Sequence, residues 1–164
     1  MFTVEDIRDI AVQIERNGEA AYQHAAENTN HPEIAKLFRM MATDEHKHIQ
    51  WFEKMSTLEP PVMVEGQDPQ IVQMGRELLQ NMMAQQTFSL QSETLAKVTN
   101  IFDALRQSVE FEKDTILFYE MLSDFLDDRQ TMRQLELIIS EERTHIEKLN
   151  EIIKMLEAEN QTAF

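Results

Sequence analysis

The chain contains no cysteine in 164 residues. Disulfides, thiolate metal sites, iron–sulfur clusters and cysteine nucleophiles are therefore excluded together. Glycine numbers three and proline four. Most of them cluster between strongly periodic stretches, which points to long helices and few turns. Bases are also scarce: 15 Lys and Arg stand against 30 Asp and Glu, a net charge of −15. No basic cluster offsets this, so nucleic acid would be repelled. No apolar run approaches the ~18 residues that a membrane span needs. "MFTVEDIRDI" is charged from Glu5 onward and lacks the apolar core of a signal peptide. A cytoplasmic protein with no membrane partner is expected.

What is present is a core. Hydrophobic residues make up 42% of the chain, too many for a disordered acidic tail and enough for one domain spanning 1–164. Four stretches repeat apolar residues at steps of three and four, the period of an amphipathic helix. The first carries Ile7, Ala11, Ile14, Gly18, Ala21/Tyr22 and Ala25. The second carries Ile34, Leu37/Phe38, Met41, Glu45, His48, Phe52 and Met55. The third carries Leu105, Ser108/Val109, Glu112, Thr115/Ile116, Tyr119, Leu122 and Leu126. The fourth carries Leu135, Ile138, Glu142, His145, Leu149, Ile152 and Leu156. Thr3 and Asn100 suit helix N-caps, and Pro32 suits a first turn.

The links "NTNHP" and "DDRQ" are short, so helices one and two, and three and four, should form antiparallel hairpins over 4–57 and 100–157. The crossover, 58–99, opens with the extended "LEPPVMVEGQDP". It continues into a short helix with Ile71, Met74, Leu78 and Met82 on one face. The expected architecture is an all-α four-helix bundle with one long crossover.

The hairpins also repeat one another. A shift of 97 residues places Glu15 on Glu112, Tyr22 on Tyr119, Glu45 on Glu142 and His48 on His145. "EHKH" and "ERTH" are both Glu-x-x-His, a spacing that puts the two side chains on one helix face. Alone the motif is weak; its placement strengthens it. These four residues, with Glu15 and Glu112, lie on the stripes that face the core, and no Lys or Arg shares those positions. Uncompensated buried carboxylates cost several kcal/mol each or take up protons. A bound cation is the natural compensation. Glu15 and Glu45 are equidistant from the first turn, and Glu112 and Glu142 from the second. Each pair then lies about 22 Å from its turn, at mid-bundle. Four Glu and two His form the ligand set of a two-metal carboxylate site. Such donors suit iron or manganese, with zinc as a substitute.

In "IERNGEAAY", "DEHKH", "FEKDTILFY" and "EERTH", in that order, the chain resembles the ferritin-like superfamily, most closely rubrerythrin-type domains. The resemblance implies a ferritin-like bundle and two iron ions held by Glu15, Glu45, His48, Glu112, Glu142 and His145. Glu45 and Glu142 would be the bridging carboxylates. Two departures stand out. The cysteine-ligated rubredoxin iron site of full-length rubrerythrins has no counterpart, so any electron donor must be another protein. Thr115 occupies the position of a second third-helix Glu, which puts the ligand exchange of those proteins in question. Glu110 is rotated about 200° from Glu112 and is a poor substitute.

The reading is a di-iron oxidoreductase of peroxide-reductase or ferroxidase type, acting on O2 or hydrogen peroxide as a homodimer. The alternative is iron storage in a ferritin-like multimer, and a metal-free helical interaction module is the third class. Tyr22 and Tyr119 are core aromatics that can also bond a ligand carboxylate. Gly18 can make room beside Glu15's face or serve close packing. His24, His31 and His46 are expected at the surface, and Asp44 and Glu141 are expected to be solvated. The eleven Met are core filler.

Overall fold

The computed structural model describes residues 4–55, 70, 77, 100–124 and 128–162. The described residues form four long helices and no strand. They are α1 (Val4–Asn28), α2 (Pro32–Met55), α3 (Ile101–Ser123) and α4 (Arg129–Thr162). Helix α2 begins on Pro32, whose fixed φ and missing N–H suit a first helical residue. Asn100 caps α3 in extended backbone, its side-chain Oδ1 accepting from Phe102 N at 2.9 Å. Asp128 does the same for α4, its Oδ2 accepting from Thr131 N at 2.9 Å. The cap expected at Thr3, Leu126, and the crossover 58–99 lie outside the described residues, except that Gln70 and Glu77 are helical. Helix α4 runs on to Thr162, past the hairpin limit of 157 expected from the apolar pattern.

Helix α1 packs along α2 and α3 along α4, and the two hairpins meet through α2 against α4 and α1 against α3. The described stripe residues bury as the 3.6-residue period requires. Ile14, Ile34, Phe38, Met41, Phe52, Leu105, Leu122, Leu135 and Leu149 are almost wholly removed from water. Burying a side chain of this size contributes about 1.5–3 kcal/mol, so the core alone fixes which face of each helix points inward. Ion pairs such as Arg16–Glu53 (3.0 Å) and Arg143–Glu120 (2.8 Å) tie neighbouring helices at the surface. Exposed pairs of this kind contribute about 0–1 kcal/mol each. The bundle is held by its apolar faces, and those faces carry the six polar residues inward with them.

Candidate metal centre

Each helix delivers its polar residues by the same geometry that delivers its core. Glu15 comes from α1, Glu45 and His48 from α2, Glu112 from α3, and Glu142 and His145 from α4. All six are buried. No Lys or Arg is buried among the described residues. The polar cluster therefore has no internal cation from a basic side chain other than histidine.

The six fall into two overlapping groups. Glu15, Glu45, His48 and Glu142 each offer a donor atom within 4.8 Å of the others, and so do Glu45, Glu112, Glu142 and His145. Glu45 and Glu142 belong to both groups. His48 Nδ1 lies 3.2 Å from Glu15 Oε2 and 3.0 Å from Glu142 Oε1. His145 Nδ1 lies 3.0 Å from Glu142 Oε2, 3.6 Å from Glu45 Oε1 and 3.8 Å from Glu112 Oε1. Both imidazoles thus turn Nδ1 toward the carboxylates.

Their outer nitrogens are engaged as well. His48 Nε2 meets Glu141 Oε2 at 2.6 Å, and His145 Nε2 meets Asp44 Oδ2 at 3.0 Å. This corrects the expectation that Asp44 and Glu141 are merely solvated. Glu141 is 57% exposed and Asp44 24%, yet each reaches across to the histidine of the other hairpin. Shifting Asp44 by 97 gives Glu141, so the contact repeats with the fold. A carboxylate on the outer nitrogen fixes ring orientation and makes the inner nitrogen a better ligand. The sequence signal was the acid preceding Glu in both copies, "DEHKH" and "EERTH". It was missed because helix by helix those acids sit off the core stripe.

The tyrosines cross the bundle too. Tyr22 donates its hydroxyl to Glu112 Oε1, and Tyr119 donates to Glu15 Oε1. Thr115 is buried, and its hydroxyl donates to the α3 backbone at Phe111 O, 2.9 Å away. A Cβ at Gly18 would sit 3.0 Å from Glu45 Oε2 and 3.1 Å from Phe111 Cε1. Glycine there leaves room for the Glu45 carboxylate. His46 is exposed beside Glu19 at 3.0 Å, and Glu110 is exposed and pairs with Lys113. His24 and His31 are half-buried, less exposed than expected.

Burial and crowding set the protonation. Burial raises the Glu45 carboxyl well above its ordinary value, and the charges of Glu142 and Glu15 raise it further. Burial and then Glu142 likewise raise Glu112. Burial would raise Glu142 too, but hydrogen bonds from His145 and His48 hold it below the ordinary range. Burial alone would lower His48; contacts to Glu142 and Glu15 instead push it up to about 11. Burial opposes charge on His145 as well, and Asp44, Glu112 and Glu142 push it up to about 12. Burial and neighbouring carboxylates keep both tyrosines protonated, so they remain donors.

The residues present fit a metal pair. Both oxygens of Glu45 and Oε2 of Glu112 are buried with no hydrogen-bond partner. A buried acceptor left unpaired costs about 1–3 kcal/mol. Oxygens kept unpaired beside two imidazoles are what a cation site requires. The donor set is carboxylate and imidazole, suited to divalent transition metals.

Comparison with known proteins agrees. Residues 6–100 match the model of the rubrerythrin family. The chain is similar to a crystal structure from Thermotoga maritima described as a ferritin-like diiron-carboxylate protein. The likeness has a TM-score of 0.65 and 26% identity, over 93% of this chain and 95% of that one. No curated protein matches. The family match ends where α3 begins, while the structural likeness, over 93% of the chain, reaches into α3 and α4. With its ferritin-like helical fold and buried carboxylate–histidine cluster, the chain belongs to the rubrerythrin family.

Proposed function

We propose that this is a cytoplasmic di-iron oxidoreductase that consumes hydrogen peroxide or O2, with its electrons supplied by a separate donor protein. The observation that carries the reading is the overlap of the two four-residue groups at Glu45 and Glu142. One ion would be held by Glu15 and His48, the other by Glu112 and His145, with both shared carboxylates between them. Four carboxylates balance two divalent ions, and neutral imidazoles add no charge. Iron held by these six residues would supply electrons to an oxygen–oxygen bond.

The chain's own groups prepare for that. His48 and His145 must shed their Nδ1 protons to ligate, and Glu141 and Asp44 keep Nε2–H oriented while they do so. Tyr22 and Tyr119 hold one oxygen each of Glu112 and Glu15, leaving the second oxygen of each free to ligate. The apolar residues around the cluster exclude water. Thr115 offers only a hydroxyl committed to its own helix, so the third helix supplies a single carboxylate ligand.

The test is metal content of anaerobically prepared protein, followed by its optical spectrum on adding peroxide. Bound iron whose absorption changes as peroxide disappears supports the reading. Iron that is bound but leaves both peroxide and O2 untouched contradicts it.

A further inference from the structure

The chain's single tryptophan ends a run of aromatic rings that starts at the polar cluster. Trp51 is part-buried at the edge of the core. Its ring centroid is 4.9 Å from that of Phe52, edge to face at 69°. Phe52 lies 5.3 Å from Tyr119. Tyr119 in turn donates to Glu15. Phe52 and Tyr119 are fully buried, so the run leads from the surface straight to a residue of the proposed metal pair.

The other half of the pseudo-symmetric site is built differently. Tyr22 bonds Glu112, and its ring neighbours are Phe38 at 5.8 Å and Phe111 at 6.3 Å. Both are buried. The 97-residue shift carries Trp51 to Lys148 and Phe52 to Leu149. The six candidate ligands and both tyrosines obey the repeat, and the Trp–Phe pair does not. Leu149 shows that an aliphatic residue fills the equivalent place in the core. Packing alone therefore does not call for the aromatic pair. Edge-packed and tilted rings in contact couple neighbouring oxidisable side chains more strongly than saturated side chains do.

We propose that Trp51, Phe52 and Tyr119 carry single electrons from the protein surface to the carboxylate–histidine centre. The route rests on the peroxide chemistry proposed above. Tyr119 would give one electron to iron held by the six residues once peroxide has oxidised that iron. The tyrosine is refilled from Trp51 across Phe52. Trp51 is refilled by the separate donor protein, for which a one-electron reductant of the ascorbate class can stand in, and which is itself oxidised by one electron. The phenolic proton stays within the Tyr119–Glu15 hydrogen bond and returns to its oxygen when the ring is refilled. Without the reductant the deficit remains on Trp51. Its indole then loses the N–H proton to solvent, and the resulting neutral radical adds dissolved O2 at a ring carbon; the peroxyl radical so formed takes a hydrogen atom from peroxide, closing as a hydroperoxide and releasing a hydroperoxyl radical.

The experiment uses the full chain loaded with Fe(II), its metal content measured, then treated with peroxide with and without ascorbate. Peptide mass spectrometry locates oxygen added at residue 51. Oxygenated Trp51 is expected without ascorbate and absent with it. Counted per bound iron, it should be lost in Tyr119→Phe and in Phe52→Leu, which copies the packing at Leu149, and kept in Tyr22→Phe. Equal oxygenation in Tyr119→Phe, or in metal-free protein given the same peroxide, overturns the route. So does an untouched Trp51 in protein that binds iron and consumes peroxide. Protein that binds no iron overturns the di-iron reading, and the route falls with it.

Discussion

At the residue scale, charge placement decides the chemistry. Glu45 and Glu142 each serve both groups, whereas Glu15 and Glu112 each serve one. The outer carboxylates act through the histidines. Asp44→Asn should weaken metal affinity about 10- to 100-fold, the usual cost of losing such a partner. Glu141→Gln should cost less, because more than half of that side chain faces water. Titrations with Mn(II) read both values. The six candidate ligands could be picked out from the sequence because each is a polar residue on an apolar stripe, at spacings that repeat. Asp44 and Glu141 could not be recognised that way. Their partners lie on the opposite hairpin, and periodicity within one helix says nothing of contacts between helices. The same limit hid the crossing of the tyrosines, which bond the glutamate of the other hairpin rather than their own.

At the scale of the element, one glycine in α1 sets the room for a shared carboxylate. Gly18→Ala should add up to about 1 kcal/mol of helix propensity. The new Cβ, however, would meet Glu45 Oε2 at 3.0 Å. The carboxylate is the flexible end of its side chain, so it will turn aside and the fold will survive. Thermal unfolding of metal-free protein should be unchanged or raised, while bound metal per chain falls. Unchanged metal content would show that Glu45 does not need that space. Asn100→Ala, removing the α3 cap, should cost about 1 kcal/mol in urea unfolding without altering metal content. Helix starts were legible where a chemical device marks them, as at Pro32 and Asn100. The far end of α4 was not, because past Leu156 the only apolar residue of that helix is Ala158, which is exposed and does not extend the pattern.

At the scale of the whole molecule, stability is linked to pH through the buried cluster. The folded histidines sit at about 11 and 12, far above the ordinary 6.5. Their stabilising contribution is complete below 6.5 and is lost as pH rises toward those values. The raised Glu45 and Glu112 act with the same sign. Glu142 is depressed, so its contribution is present above the ordinary 4.5 and lost as pH falls below it. Metal-free protein should therefore have its highest thermal midpoint near pH 4.5, below which Glu142 takes up its proton and above which Glu45 and Glu112, and then the histidines, lose theirs. Bound metal replaces the protons, so the loaded protein should be most stabilised toward alkaline pH. Melting curves across pH, with and without chelator, check this. Net charge of −15 adds self-repulsion that salt should relieve in both forms.

The central claim is one six-residue site holding two ions through two shared carboxylates. Metal per chain, counted by mass spectrometry after loading with Fe(II) under anaerobic conditions, tests it most directly. Wild type should bind two ions. Glu15→Ala and Glu112→Ala should each lose one, and the double variant Glu45→Ala/Glu142→Ala should lose both. A folded double variant that keeps either ion would contradict the shared site.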